Sequence, residues 1–217
     1  MPRFLHIDYA GREGSVCLSA DEVLIRGPIQ GELDVSAFLA PAIEALLNEA
    51  GWAVSNLDAI SVNLGPGSYT SLRSSLALAQ GMAAALEIPL IGLSRPILMA
   101  AEAENQEGNI VVAFHARADH WSAFIFNQDL KQVSQQTTRL EDVLQAARDI
   151  PGHPFVIIEP EPFTELPKDY NNFKFYKNSS INHIKLANKY YLDKIFCDLA
   201  NLRPIYFSDP RITTAKK

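Results

Sequence analysis

Cysteine is nearly absent from this chain of 217 residues. Cys17 and Cys197 stand alone among apolar neighbours, with no CxxC pair and no framework of spacings. That pattern predicts reduced, buried thiols and excludes a disulfide scaffold or a cysteine metal site. Positive charge is also in deficit, since 19 Lys and Arg face 25 Asp and Glu for a formal net charge of −6. Strong independent binding to a polyanion needs many Lys and Arg to displace counterions, so any nucleic acid is expected to be reached through a partner. Long apolar runs are missing too. The uncharged stretch 74–86 falls short of the roughly 20 residues that span a bilayer, and it contains Gln80 and Gly81. Asp8 interrupts the N-terminal apolar residues before a signal-peptide core could form. A cytoplasmic protein with no membrane segment is expected. With 47% hydrophobic residues, the chain has enough apolar surface for one sizeable core or two smaller lobes.

What is present is a repeated order of elements. Runs rich in Val, Ile, Leu and Phe predict strands at 3–8, 15–19 and 23–26. From Val35 the apolar residues alternate three- and four-residue steps through Ala50, which predicts a helix closed by Gly51, with Pro41 a candidate kink. A strand at 59–64, a Gly65-Pro66-Gly67-Ser68 turn and a helix over 69–87 follow. After a strand at 90–93 and a helix over 94–104, the order begins again. Strands are predicted at 110–114, 121–127 and 131–137. A capping-box pattern, Thr138-Arg139-Leu140-Glu141, opens a helix to about residue 148, and a strand at 155–158 and a helix over 181–200 close the chain. The polar, Pro-containing stretch 159–180 reads as a long surface loop. Matching elements lie about a hundred residues apart, the mark of internal duplication. Duplicated βββαβα lobes in an α/β chain resemble the actin-like ATPase superfold, two ribonuclease-H-like halves, divided here as 1–104 and 105–217.

One segment is specific. Residues 57–73, a strand running into Gly65-Pro66-Gly67-Ser68-Tyr69-Thr70-Ser71-Leu72-Arg73, are similar to the signature of the TsaB (YeaZ) family, and 88–94 continue as that family runs. Departures mark a divergent member. Ser71 stands where the family usually has Gly, Ser74-Ser75 replace Ile-Gly, no His occurs within 38–43, and His115-Ala116-Arg117 replaces Asp-Ala-Arg.

Enzyme chemistry finds little support in the residues. An actin-like ATPase, or a sugar kinase of that fold, needs two phosphate loops with glycine amides and carboxylates. Asp8 and Gly11 approach the first, whereas the second turn, 115–120, has no glycine and no carboxylate at its start. Gly65-Pro66-Gly67-Ser68 is no phosphate loop, because no GxxxxGK[ST] follows and Pro66 has no N–H to donate. A metallopeptidase would need histidines on one helical face. The five, His6, His115, His120, His153 and His183, form no HExxH and read as core or surface residues. No GxSxG elbow supports a serine hydrolase. Asp8 reads as a turn-capping or hydrogen-bonded carboxylate. No catalytic residue, cofactor or metal is expected.

The helix over 69–87 carries Arg73, Gln80 and Glu87 in one polar strip and apolar or small residues elsewhere. Its two stripes are Leu72, Leu76, Ala79, Ala83 and Leu86, and Ser75, Leu78, Met82 and Ala85. A helix apolar nearly all round is buried on more than one side. The pattern does not decide which stripe meets this chain's own sheet. The resemblance implies a partner, a TsaD-like catalytic subunit, met through Phe38, Ala42 and Leu46 of the first helix. It also implies Ser68, Tyr69, Leu72, Arg73, Leu76, Ala79, Met82 and Ala83 of the second helix and its turn. It further implies a TsaE-like ATPase in the complex, tRNA contacted only through that complex, and a non-catalytic role in making N6-threonylcarbamoyladenosine beside the anticodon. Whether the chain forms a homodimer in the partner's absence stays open.

Overall fold

The computed structural model describes residues 2–11, 14–20, 23–26, 35–103, 107–117, 120–150, 154–158, 173–176 and 180–206. The chain packs as two units, Met1–Arg95 with His183–Lys217, and Pro96–Asn182. This corrects the expected division at 104/105. The chain re-enters the first unit at His183, because its last helix packs on the first sheet.

In the first unit, β1 (Phe4–Asp8), β2 (Ser15–Ala20), β3 (Val23–Arg26), β4 (Ala59–Asn63) and β5 (Leu90–Leu93) form a sheet of order β3-β2-β1-β4-β5. The β1–β2 and β2–β3 pairs are antiparallel, while β4 lies parallel to β1 and to β5. Strand side chains alternate between faces. Leu5, Ile7, Val16, Leu18, Ile60 and Val62 therefore share one face, and there they enter a core with α1 (Val35–Ala50) and α2 (Tyr69–Leu86). Gly51 ends α1 at φ +66°, where a side chain would be strained, and the Trp52 amide donates to the Leu47 carbonyl. Pro41 sits inside α1 without breaking it, and both Pro41 and Ala37, whose carbonyl loses its helical donor, are exposed to water. The opposite sheet face takes α5 (Ser180–Leu192), with Phe4 meeting the Tyr191 ring edge-on at 5.3 Å. Beyond α5 the chain runs along the outer edge of β5, where the Cys197 amide donates to the Leu90 carbonyl.

The second unit repeats the plan. β6 (Ile110–Arg117), β7 (His120–Phe126), β8 (Gln132–Arg139), β9 (Phe155–Ile158) and β10 (Phe173–Phe175) give the order β10-β9-β6-β7-β8. Read from its other edge, that is the order of the first sheet, so the duplicated α/β, actin-like architecture is present. Val111, Ala113, Trp121, Ala123 and Val156 pack against Val143 and Ala147 of α4 (Leu140–Asp149), while Val112, Phe114, Phe124 and Ile157 build the other face.

Three local expectations change. The last helix stops at Leu192 rather than 200, with Lys194 at φ +56° in the turn that follows. Strand β10 lies within the stretch read as loop, pairing parallel with β9; residues 159–172 of that stretch are outside the described set. The N-cap of α4 is Arg139 without a side-chain cap, and Thr138 donates its hydroxyl to Asp142 instead of forming the expected box.

Candidate functional site

Alternation along β1 and β4 sends His6, Asp8, Ser61 and Asn63 to the α5 face of the first sheet, where all four are buried. His183 arrives on α5 to join them, its ring 5.5 Å from that of His6. One tautomer assignment satisfies every group. The Asp8 carboxylate, 3.9 Å from His183 Nδ1, favours the proton on that nitrogen, leaving Nε2 to accept from the Ser61 hydroxyl at 2.9 Å. His6 Nδ1–H then donates to Ser61 Oγ at 2.7 Å, and His6 Nε2 accepts from Ser19 at 2.7 Å. Burial, followed by the neighbouring His183, holds the His6 pKa well below its usual value, consistent with a neutral His6 ring. An Asp, a His and a Ser in sequence invite comparison with a hydrolytic triad. Ser61 is 0% exposed in mid-strand, so no substrate reaches it. The network registers α5 on the sheet.

Asp8 also accepts from the Ala10 amide at 3.3 Å and from Asn63 Nδ2 at 2.9 Å, and Asn63 Oδ1 in turn accepts from the Gly65 amide at 2.8 Å. At 4% exposure its carboxylate is committed to holding two turns together, as the hydrogen-bonded reading of Asp8 anticipated. The Gly65–Ser68 turn closes directly on the β1–β2 turn, with the Ser68 amide donating to the Ala10 carbonyl at 3.3 Å. A Cβ on Gly67 would lie 1.8 Å from the Ala10 oxygen. Of the second turn, His115 and His120 are exposed, and residues 118–119 lie outside the described set.

The structure sorts the eleven residues expected at a partner surface. Leu72, Leu76, Ala79 and Ala83 face the sheet and are at most 3% exposed, and Ala42 and Leu46 are likewise buried in this core. Their expected place at an interface is corrected, because a helix turns its most apolar stripe onto its own sheet. Ser68, Tyr69 and Arg73 are exposed, and Phe38 and Met82 are half-buried at the surface. The polar strip of α2 meets the chain's own C-terminal segment. Gln80 donates to the Leu199 carbonyl at 2.8 Å, Tyr69 stacks on Tyr206, and the Arg73 guanidinium lies 5.0 Å from the Tyr69 ring centroid. The outward face of α2 is left to small, exposed residues, Ala77, Gly81, Ala84 and Ala85. Between α1 and α2 runs a groove of about 410 Å³, lined by the apolar Ala40, Ile43, Leu47, Trp52, Ala53, Val54, Leu78 and Met82 and by the polar Glu44 and Asn48.

Sequence reasoning read His6 and His183 only as core or surface residues; both are buried, and their meeting across the sheet was missed. The available signal was the polar alternation His6, Asp8 in β1 and Ser61, Asn63 in β4. Cys17 is buried, its pKa pushed up to about 12 mainly by that burial, and Cys197 is raised for the same reason, so neither is poised as a thiolate. Among the described residues, no helix is long and apolar enough to cross a membrane.

Comparison with known proteins gives one family model, described as TsaD: tRNA N6-adenosine threonylcarbamoyltransferase, matching residues 34–200. The tRNA threonylcarbamoyladenosine biosynthesis protein TsaB of Escherichia coli (strain K12) is 28% identical over 131 residues, 56% of this chain and 54% of that protein. TsaB of Bacillus subtilis (strain 168) is 39% identical over 77 residues, 36% of this chain and 34% of the other. The matched part thus spans about half the length, or less, of these curated relatives. YeaZ from Pseudomonas aeruginosa shares the fold at TM-score 0.77 with 21% identity, covering 95% of this chain and all of that one.

Proposed function

The chain belongs to the family described as TsaD, tRNA N6-adenosine threonylcarbamoyltransferase, as a divergent TsaB/YeaZ-type member, and on that premise we propose that it is a non-catalytic partner subunit in threonylcarbamoyladenosine modification of tRNA. The observation that carries this reading is the groove between α1 and α2, open beside a helix face made of Ala77, Gly81, Ala84 and Ala85. Small residues let a second helix approach closely, and an apolar groove alongside is how a helix-in-groove contact is read. The occupant is a helix of a TsaD-like catalytic subunit, with a TsaE-like ATPase completing the assembly and tRNA contacted through it. The non-catalytic part of the reading is supported by the burial of Asp8 and by the closed Gly65–Ser68 turn.

Two arginine substitutions on α2 test it. Met82→Arg puts a long, charged side chain at the groove wall, where it reaches water in the free subunit but fills the groove and loses that water when a helix docks. It should keep the fold and weaken capture of a TsaD-like threonylcarbamoyltransferase by at least about tenfold. Ala79→Arg, on the buried stripe, should instead unfold the first unit. A folded Met82→Arg protein that binds this partner normally would remove the groove from the interface.

A further inference from the structure

The net charge of −6 hides an uneven distribution. Residues 1–167 hold nine Lys and Arg against 21 Asp and Glu, whereas residues 168–217 hold ten against four. Eight of the nine lysines fall in that last segment, Lys131 being the exception. Charge of opposite sign in two parts of one chain points to a polyanion met by the basic part. Among the described residues, the outer side of α5 and the turn after it carry this charge. His183, Leu186 and Ala187 are the buried side of the helix. Lys185 and Lys189, one helical turn apart, are exposed together, and Lys194 is exposed in the turn at φ +56°. Asp193 is the single acid from Ser180 to Cys197. Leu192 and Phe196, 77% and 44% exposed, belong to the same stretch, and the Phe196 ring lies 5.8 Å from that of Tyr191. Lys174 is committed to Glu102 at 2.7 Å and takes no part.

We propose that the outer side of α5, with Lys185, Lys189 and Lys194, is an RNA-backbone contact through which this chain itself holds phosphates of the tRNA. The proposal rests on the role in tRNA modification given above and adds a direct contact to it. Lysines act as point charges that position a phosphate chain without reading its sequence. Screening decides which charge that chain meets. At about 0.1 M salt, fields fade beyond roughly 10 Å, so phosphates lying on α5 meet the local cations rather than the acidic remainder of the protein. The exposed Phe196 ring beside them offers a face to an unpaired base. A lipid surface fits less well, because the apolar side of α5 is committed to this chain's own core and no free apolar face is left to enter a bilayer. Three lysines neutralise about three phosphates, too few to capture RNA alone at physiological salt, so the contact adds to a partner's grip. It uses no residue of α1 or α2.

One variant carrying Lys185→Gln, Lys189→Gln and Lys194→Gln changes exposed side chains alone, and its thermal midpoint checks that the fold is kept. A labelled, unmodified tRNA transcript is titrated with the intact chain at about 50 mM salt and again at about 200 mM, followed by fluorescence anisotropy. Three phosphate contacts predict a roughly twenty- to fortyfold loss of affinity between the two conditions. The triple variant should bind at least about tenfold more weakly at the lower salt and lose most of that salt dependence. Lys131→Gln, an exposed lysine next to β8, should change neither. Met82→Arg should also leave tRNA binding unchanged while weakening partner capture, so failure of the groove and failure of this face are read separately. An intact chain that does not bind the transcript at the lower salt, or a triple variant that binds it equally well, overturns the proposal. So does lysine-dependent binding to phosphatidylserine vesicles without binding to tRNA, or a triple variant that loses partner capture with tRNA binding unchanged.

Discussion

Removing one hydroxyl, in Ser61→Ala, should destabilise the first unit far more than its size suggests. Ser61 Oγ lies 2.7 Å from His6 Nδ1 and 2.9 Å from His183 Nε2, and it is the group through which both rings meet. Its loss strands one donor and one acceptor, on rings exposed by 1% and 2%, where no water replaces it. Each buried polar group left unsatisfied costs about 1–3 kcal/mol, so the pair predicts a loss of roughly 2–6 kcal/mol. Ser19→Ala is the control, because it strands only His6 Nε2 and should cost about half as much. The assay follows from the placement of the two tryptophans, Trp52 in the first unit and Trp121 in the second. In a Trp121→Phe background, urea unfolding followed by Trp52 emission reports the first unit alone, with the midpoint shift read at constant slope. A loss below about 0.5 kcal/mol, or equal losses for Ser61→Ala and Ser19→Ala, would refute a network that hinges on Ser61.

The same network sets a pH dependence. His6 has a folded pKa depressed by burial, so below about 6.5 the unfolded chain binds the extra proton. Its contribution is fully present above that pH and is lost as pH falls towards the folded value, with a slope of up to about 1.4 kcal/mol per unit; urea midpoints measured from pH 7.5 down to 5 should fall accordingly, and His6→Phe should flatten the curve. At the Gly65–Ser68 turn, Gly67→Ala drives a methyl into the Ala10 oxygen and should lower the thermal midpoint strongly. Gly51→Ala at φ +66° meets nothing within 4 Å and should cost only about 1 kcal/mol; equal melting shifts for the two would show that the turn is not packed as described.

Local pattern alone determined the elements and the duplication. Stepwise apolar residues placed α1 and α2, Gly51 and the Gly65–Ser68 turn bounded them, and the repeated strand order announced two like lobes, because each signal depends on residues only a few positions apart. The segment 57–73 likewise marked the family before any contact was known. Tertiary structure decided the rest. Which stripe of α2 faces inward depends on what the helix packs against, and the Leu72–Ala79–Ala83 stripe took the sheet, leaving Met82 and the small residues outside. The meeting of Ser61 with His183, 122 positions apart, follows from α5 crossing back to the first sheet, and no spacing in the chain encodes it. The stretch after Leu192 shows the same limit. Its apolar residues continue a helix-like pattern, yet the turn at Lys194 sends the chain along β5, where backbone groups of a sheet edge need partners more than the helix needs another turn.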